Sequence, residues 1–310
     1  MDIGRNLAAA AAGLVARMDD YGVDKAMIVV VPSGRRSAAE DLASMRAAVS
    51  AHPGRLRLMA GGATLGQMIL KTAPGDVTDA IKREFASRAK SLIEGGAAGF
   101  GEMISYHLCM TQRHSFKYAA ADHPLFLRLA EIAAAADVPI DLHMEAIERG
   151  GPMPANLRRA CDKNPEKLIP TIPALERLLR HERRARIVWQ HVGWDNVGDM
   201  KPALLDRLLR ENANLYLAFR VERRLDQVGG GGPMPNRIVD GGRIADDWRR
   251  LMTAHPDRLM IGGDEFAGPS GKEPRMAASF ADTWAMLSQL PSELAAKIGG
   301  ANARRVYRLE

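Results

Sequence analysis

Several kinds of residue are scarce in this chain, and each scarcity argues against a class of protein. There are only two cysteines, Cys109 and Cys161, in 310 residues. A small secreted protein held by a disulfide framework would need more. Neither cysteine belongs to a Cys-x-x-Cys pair of the kind that zinc knuckles and thioredoxin-like sites use. Aromatic residues make up 5% of the chain, so no set of rings suggests a platform for stacking nucleic-acid bases.

Long apolar runs are also absent. No run approaches the roughly 20 residues that a membrane-spanning helix needs. The alanine-rich start, residues 1–22, lacks the basic front and leucine-rich centre of a signal peptide, so we predict an amphipathic helix there. The chain as written is therefore expected to be cytoplasmic, with no membrane partner. A longer N-terminus with a targeting signal would change that expectation.

The remaining composition is that of an ordinary globular protein with an excess of positive charge. Hydrophobic residues make up 46%, charged residues 26%, and the formal net charge is +6. The arginines are spread along the chain and interleave with glutamate and leucine, as in RLLRHERRAR at residues 177–186. Such runs are typical of solvated helix faces, so no nucleic-acid partner is predicted. The composition leaves open whether the protein forms a homo-oligomer.

Short apolar runs alternate with longer helical stretches along the whole chain, which favours a parallel sheet with crossover helices. Seven strands are predicted to begin near Ala26, Leu56, Ala98, Val138, Ile187, Leu215 and Leu259. No linker or shift in composition divides the chain. We therefore predict one α/β domain over residues 1–310, of the (β/α)8 TIM-barrel type, which typically needs about 250 residues.

The competing architecture is a doubly wound open sheet. That fold would place a glycine-rich turn after the first strand, but VVVPSGRRS at residues 29–37 contains no Gly-x-Gly-x-x-Gly. The chain also begins with a predicted helix and contains seven strand–helix units, where a closed barrel has eight. We therefore expect the first barrel strand to be missing from this sequence.

Polar residues interrupt the apolar strands near their predicted C-terminal ends. They are Glu102, His143, Glu145, His191 and Asp264. Barrel enzymes carry their catalytic groups at these ends. Imidazoles and carboxylates from separate strands form a donor set that suits a divalent metal ion.

The alternation of side chains along a strand predicts which way these residues point. In IDLHME, residues 140–145, it places Asp141, His143 and Glu145 on the face toward the barrel interior. An unpaired polar face there would be costly, which favours a bound ion.

The same alternation applies to the later strands. It groups His191 with Ile187 and Trp189, and Asp264 with Met260 and Gly262. The glycines before Asp264 are interpreted as room for a ligand to approach.

Six segments, in order over nearly the whole chain, resemble the amidohydrolase superfamily. They are GVDKAMIVVVPS, GAAGFGEM, IDLHMEA, IVWQHVGW, HPDRLMIGGDEF and GGANARRVY. The similarity is strongest to the branch of amidohydrolase-related barrels that includes hydrolases and nonoxidative decarboxylases. It implies a (β/α)8 barrel that binds a divalent ion, Zn²⁺. It maps His143 to the fifth-strand metal ligand, His191 to the sixth-strand histidine and Asp264 to the eighth-strand aspartate. Glu102 falls at the end of the fourth strand, where relatives carry a ligand or bridging group.

One part of the family pattern is absent. The family's first strand carries a metal-binding His-x-His pair, and none of the eight histidines here forms one. The sequence is therefore either a truncated copy or a true variant. In a variant, Glu102, Glu145, His143, His191 and Asp264 would have to hold any metal ion themselves.

The function expected from the resemblance is metal-dependent hydrolysis of a C–N or C–O bond in a small molecule. The bond belongs to an amide, ester or lactone, and a metal-activated water attacks it. Asp264 is predicted to orient that water and act as general base, and His191 to hold the metal or stabilise the oxyanion. Arg220, Glu145 and Trp194 are predicted to contact substrate, Arg220 through a carboxylate group.

Three other functions stay open at this stage. A metal-dependent nonoxidative decarboxylase would use the same scaffold. A truncated or inactive barrel would only bind a ligand, and the missing His-x-His pair supports it. A glycosidase would pair Glu102 with Glu265, but aromatic platforms are few and the strand alternation turns Glu265 away from Asp264.

Overall fold

The computed structural model describes residues 7–29, 38–112, 114–221, 227–228, 232–265 and 280–309. Seven parallel strands form its centre: β1 (Ala26–Val29), β2 (Leu56–Gly61), β3 (Gly99–His107), β5 (Ile140–Met144), β8 (Ile187–Val192), β9 (Leu215–Phe219) and β14 (Leu259–Ile261). They pair side by side in chain order and make one curled sheet. The seven predicted strands are confirmed, and the fold is α/β and TIM-barrel-like.

The other strands are two-residue segments. β4 (Lys117–Tyr118) turns back antiparallel onto the end of β3. Three small antiparallel ribbons lie in the connections: β6 (Gly151–Pro152) with β7 (Lys167–Leu168), β10 (Gln227–Val228) with β11 (Gly232–Pro233), and β12 (Val239–Asp240) with β13 (Arg243–Ile244).

Helices fill most of the remaining connections. They are α1 (Leu7–Asp20), α2 (Ala38–Ser50), α3 (Leu65–Lys71), α4 (Asp79–Glu94), α5 (Pro124–Ala136), α6 (Ala155–Ala160), α7 (Ile172–His181), α8 (Pro202–Glu211), α9 (Asp246–Ala254), α10 (Phe280–Leu287), α11 (Ser292–Ala296) and α12 (Asn302–Tyr307). In α7, Leu175, Leu178 and Leu179 are buried at the three- and four-residue spacing of an amphipathic helix. Among the described residues, no helix is both long and apolar enough to span a bilayer.

The sheet has two differently packed faces. Its outer face and the helices form the main core, in which strand residues such as Leu142 and Trp189 pack with helix residues such as Leu175. The inner face carries a smaller apolar cluster to which β2, β8, β9 and β14 contribute, together with Val306 and Tyr307 from α12. Burial of both faces is what a parallel sheet requires.

The sheet closes only part of a barrel. Within the part of the chain that the structure describes, β1 and β14 have one strand neighbour each and are the two edges. The C-terminal α12 reaches the inner face, where the Tyr307 hydroxyl donates a 2.6 Å hydrogen bond to Asp141 Oδ1. Asp141 therefore points inward, as the strand alternation predicts.

Candidate metal centre

Three of the predicted site residues converge on the inner side of the sheet. Glu102, His143 and His191 come from β3, β5 and β8, which are neighbouring strands. Glu102 Oε1 lies 2.8 Å from His143 Nδ1 and 2.5 Å from His191 Nε2. One ligand atom from each of the three residues lies within 4.8 Å of the others. Their side chains are only partly buried, so the cluster is accessible from solvent.

Breaks in the strand pairing aim two of these side chains. The register between β3 and β5 shifts between Phe100 and Met103, around Glu102. The register between β8 and β9 shifts between Trp189 and Val192, and His191 has a φ of 60°. Such bulges re-aim side chains near active sites.

The bulge in β8 overturns one sequence prediction. Regular alternation would place His191 on the same face as Ile187 and Trp189. Those two residues pack in the outer core, whereas His191 contacts Glu102 on the inner side. The prediction was wrong because the extra residue of a bulge reverses the facing of the residues after it.

The cluster is electrostatically coupled. Burial alone would raise the pKa of Glu102, but the His143 and His191 imidazoles beside it lower that pKa well below its usual value. Burial would lower the pKa of His191, and the Asp264 and Glu102 carboxylates outweigh it, so the pKa rises. The Glu102 carboxylate and the His191 imidazole therefore stabilise each other's charged forms.

The donor set fits a divalent metal ion. It offers a carboxylate oxygen and two imidazole nitrogens, a combination that zinc and other first-row ions accept. His191 Nδ1 is also buried without a hydrogen-bond partner among the described residues, which leaves a polar atom for an additional interaction. The residues that could hold the ion are thus Glu102, His143 and His191.

Asp264 lies next to this cluster but is held by a different partner. Its Oδ2 is 3.8 Å from His191 Nδ1 and accepts a 2.5 Å hydrogen bond from Arg220 Nη1. The Arg220 guanidinium stacks on the Trp194 ring at 4.0 Å from its centroid. Asp264, Arg220 and Trp194, predicted separately from the sequence, therefore form one contiguous group.

Comparisons with known proteins agree with this geometry. The family model Amidohydro_2, described as Amidohydrolase, matches residues 74–309, which is most of the chain. The chain belongs to this amidohydrolase family. The amidohydrolase match covers Glu102, His143, His191 and Asp264, and it supports an enzyme of the amidohydrolase superfamily. No curated protein matches the sequence.

Several solved structures share the fold of this amidohydrolase at low sequence identity. One is 5-carboxyvanillate decarboxylase from Novosphingobium aromaticivorans, complexed with manganese and 4-hydroxy-3-methoxy-5-nitrobenzoic acid. It is 16% identical with a TM-score of 0.53, and the alignment covers 96% of this chain and 79% of that one. Another is a probable 2-pyrone-4,6-dicarboxylic acid hydrolase from Acinetobacter baumannii with citric acid bound, at 12% identity, TM-score 0.52 and coverages of 96% and 88%. A third is 4-oxalomesaconate hydratase from Rhodopseudomonas palustris. It is 15% identical with a TM-score of 0.52, and the alignment covers 96% of this chain and 80% of that one.

Two glutamates weighed from the sequence have hydrogen-bond or ion-pair partners outside the cluster. Glu145 is buried, and its Oε1 accepts a 2.7 Å hydrogen bond from Asn196 Nδ2. Burial raises the pKa of Glu145 to about 8. Glu265 pairs with Arg17 of α1 at 3.0 Å.

Of the two glycines before Asp264, Gly262 is closely packed against neighbouring strands. A Cβ at Gly262 would lie 2.8 Å from Ala218 Cβ and 2.9 Å from Gln190 Oε1. The space that the sequence assigned to a ligand is therefore occupied by neighbouring strands at Gly262. Only a glycine allows β8, β9 and β14 to approach this closely.

Two residues near the cluster were missed from the sequence. The His107 ring lies 5.0 Å from the His143 ring, centroid to centroid. Burial lowers the pKa of Lys117, and the nearby Glu102 carboxylate opposes that shift. The segment GFGEMISYH forms one strand that continues from Glu102 to His107. The length of this segment was the signal that could have pointed to residues beyond Glu102.

The cysteines also interact. Cys109 and Cys161 form a disulfide with a Cα–Cα distance of 5.7 Å. Cysteine spacing gave no sign of it, because the link joins two loops that only the folded barrel brings together.

Proposed function

We propose that this protein is a metal-dependent hydrolase that cleaves a C–N or C–O bond of a small molecule, in an amide, ester or lactone. The observation that carries the proposal is the convergence of Glu102, His143 and His191 from three neighbouring strands. Parallel strands of a barrel bring their carboxyl ends to the same face, where such enzymes place their chemistry. Membership of the amidohydrolase family supports the same reaction class.

The ion that we propose is Zn²⁺, held by Glu102, His143 and His191. When bound, such an ion lowers the pKa of a bound water to about 7 and polarises a carbonyl. The manganese in the 5-carboxyvanillate decarboxylase complex makes Mn²⁺ the second ion to test. The donor set alone accommodates both.

The proton-transfer role falls to Asp264. Its carboxylate lies beside His191 and is fixed by Arg220 Nη1, so it is held in one orientation next to the cluster. We propose that Asp264 orients the attacking water and accepts its proton, while His191 serves as a ligand of the ion. Arg220, stacked on Trp194, then positions Asp264 and is the proposed contact for a substrate carboxylate.

Nonoxidative decarboxylation is the second candidate function. The pairing of Arg220 with the Trp194 ring favours it, because a cation on an aromatic surface suits an aromatic acid. Decarboxylases of such acids share the fold, although the low identity limits that likeness to the fold itself. In this reaction the residues around the cluster would orient the substrate carboxylate as carbon dioxide leaves.

Metal analysis and product analysis test both functions. The full chain would be equilibrated with Zn²⁺ or Mn²⁺, its metal content measured by mass spectrometry, and its activity assayed on amides, esters, lactones and hydroxybenzoates. A hydrolase releases an acid with an amine or alcohol, whereas a decarboxylase releases carbon dioxide. We expect Glu102→Gln and His143→Ala to lose bound metal and activity together.

The matched controls are Glu131→Gln and His181→Ala. Glu131 and His181 form a similar carboxylate–imidazole pair, 2.9 Å apart, on the outside of the molecule. Their variants should keep both metal and activity. Full metal content in His143→Ala, or metal loss in the control pair, would refute the assignment of the centre.

A further inference from the structure

Tyr307 of the C-terminal helix α12 reaches the inner face of the sheet close to the metal centre. Its hydroxyl donates a hydrogen bond to Asp141 Oδ1 at 2.6 Å and accepts one from Gln190 Nε2 at 3.3 Å. Tyr307 and Asp141 are both buried, and hydrogen bonds in such surroundings are stronger than in water. Tyr307, Asp141 and Gln190 thus form one hydrogen-bonded group, the Tyr307 network.

The Tyr307 network joins the two strands that carry the histidine ligands. Asp141 lies on β5 two residues before His143, so the two side chains share a face of the strand. Gln190 lies on β8 directly before His191. The hydroxyl of Tyr307 is therefore a bridge between β5 and β8 at the positions that lead into both proposed ligands.

The network also touches the other two strands of the site, in both cases at a glycine. A Cβ at Gly101 of β3 would lie 2.9 Å from Asp141 Cβ, and a Cβ at Gly262, directly after β14, would lie 2.9 Å from Gln190 Oε1. Each glycine precedes the site residue of its strand by one or two positions. This close packing means that the network helps to set the spacing of all four strands.

Side-chain support matters here because the strand pairing is interrupted beside two of the ligands. The register shifts around Glu102 in β3 and around His191 in β8. Ladder hydrogen bonds are disrupted at such points, so they do not fix the two ligands by themselves. Gly101 and Gln190, where the Tyr307 network makes contact, lie within these two interruptions.

The helix α12 is itself fixed to the sheet. Asn302, its first residue, is buried, and its Nδ2 donates to the carbonyls of Pro256 and Leu259 at 2.7 Å each. Leu259 is the first residue of β14. Val306, the neighbour of Tyr307, packs in the same inner cluster. A helix that is anchored in this way can hold the Tyr307 hydroxyl in one place before an ion binds.

We infer that Tyr307 is a positioning residue of the metal centre, which acts through Asp141 and Gln190 to hold the ligand-bearing strands at the spacing that a divalent ion requires. The inference rests on the proposed function and adds the C-terminal helix to the parts of the chain that decide metal affinity. Mutation of groups that orient metal ligands typically weakens metal binding by about 10–100-fold. Tyr307 acts one step further from the ion, so we expect an effect of about tenfold, the lower end of that range.

The test is Zn²⁺ binding to the full chain by titration calorimetry, with the visible absorption of bound Co²⁺ as a report of its coordination. The proteins compared are wild type, Tyr307→Phe and Tyr216→Phe. The last is the matched control, because it removes the hydroxyl of another tyrosine in the same inner cluster. Tyr307→Phe should bind Zn²⁺ about tenfold more weakly and give an altered Co²⁺ spectrum. Tyr216→Phe should match wild type in both measurements.

Unfolding curves of the metal-free proteins separate positioning from stability. A purely structural role would lower the free energy of unfolding of Tyr307→Phe but leave the Zn²⁺ affinity and the Co²⁺ spectrum of the folded protein unchanged, and that result would overturn the inference. Equal weakening of Zn²⁺ binding in Tyr216→Phe would also overturn it.

Gln190→Met is the informative variant if Tyr307→Phe does not fold. It removes the second hydrogen bond to the Tyr307 hydroxyl and should weaken Zn²⁺ binding, so an unchanged affinity would count against the inference. A wild type that binds neither Zn²⁺ nor Co²⁺ contradicts the metal centre and this inference together. Metal binding that is indifferent to Tyr307 and Gln190 contradicts the inference alone.

Discussion

His123 shows how one buried side chain fixes the start of a helix. It precedes α5, and its Nδ1 accepts a hydrogen bond from Leu125 N at 3.1 Å. Its Nε2 lies 2.9 Å from Thr72 O, which can only accept. The ring must therefore be neutral, with its proton on Nε2. Protonation of Nδ1 would remove the cap, because that nitrogen would no longer accept.

This arrangement predicts a pH dependence of stability. Burial lowers the pKa of His123 in the folded state, so the unfolded chain binds the proton more readily. The free energy of unfolding should fall as the pH drops below about 6.5, the ordinary histidine pKa, and continue to fall until the folded-state pKa is passed. Chemical denaturation at a series of pH values measures it.

The matched variant is His123→Asn, since asparagine is a good N-cap that does not titrate. It should reduce the loss of stability on acidification while keeping α5 capped, whereas His123→Ala should cost about 1 kcal/mol above pH 7. An unchanged acid response in His123→Asn would show that another group is responsible.

At this scale the sequence predicted which residues lie close together better than the direction in which each side chain points. His143 and Asp141 follow regular alternation, so their inward direction could be predicted from IDLHME alone. His191 lies at a bulge in β8. The apolar residues of IVWQHVGW do not predict that bulge, so the direction of His191 could not be predicted. His107 and Lys117 were missed because their approach to the centre depends on a hairpin whose pairing is not local to Glu102.

At the scale of elements, the Cys109–Cys161 disulfide links the segment after β3 to the end of α6. Cys109 and Cys161 are both fully buried, and 52 residues separate them in the chain. Closing such a loop removes freedom from the unfolded chain, an effect typically worth about 2–4 kcal/mol. We therefore expect Cys109→Ser with Cys161→Ser to lower the free energy of unfolding by about this amount.

Denaturation with and without a reductant checks this expectation. Reductant should destabilise the wild type under conditions that expose the bond and should leave the double variant unchanged. Metal binding should persist in the double variant, because Glu102, His143 and His191 lie on strands of the main sheet. Equal free energies of unfolding for the wild type and the double variant would show that the disulfide does not stabilise the fold.

The strands of the main sheet could be predicted because a local run of apolar residues in the sequence marks each of them. The starts of β1, β2, β8, β9 and β14 agree with the apolar runs that mark them in the sequence. The two-residue strands, such as β4 and β12, could not be predicted, because their few hydrogen bonds are set by loops that meet only in the folded chain.

At the scale of the whole molecule, the proposed metal centre joins distant parts of the chain. Glu102, His143 and His191 span a long stretch of sequence, and a ligand that binds all three must favour the folded over the unfolded state. Without an ion, the hydrogen bonds between Glu102 and the two imidazoles hold these three groups together.

This coupling predicts that metal stabilises the fold. At an ion concentration 100 times the dissociation constant, the free energy of unfolding should rise by about 2.7 kcal/mol, and the melting temperature should rise with it. Thermal unfolding would be followed in Zn²⁺, in Mn²⁺ and after treatment with a chelator. Glu102→Gln and His143→Ala should lose the shift, while Glu131→Gln and His181→Ala should retain it. A metal-induced shift of equal size in all four variants would mean that the ion binds elsewhere, because stabilisation through this centre requires the carboxylate and the imidazole that the first two variants remove.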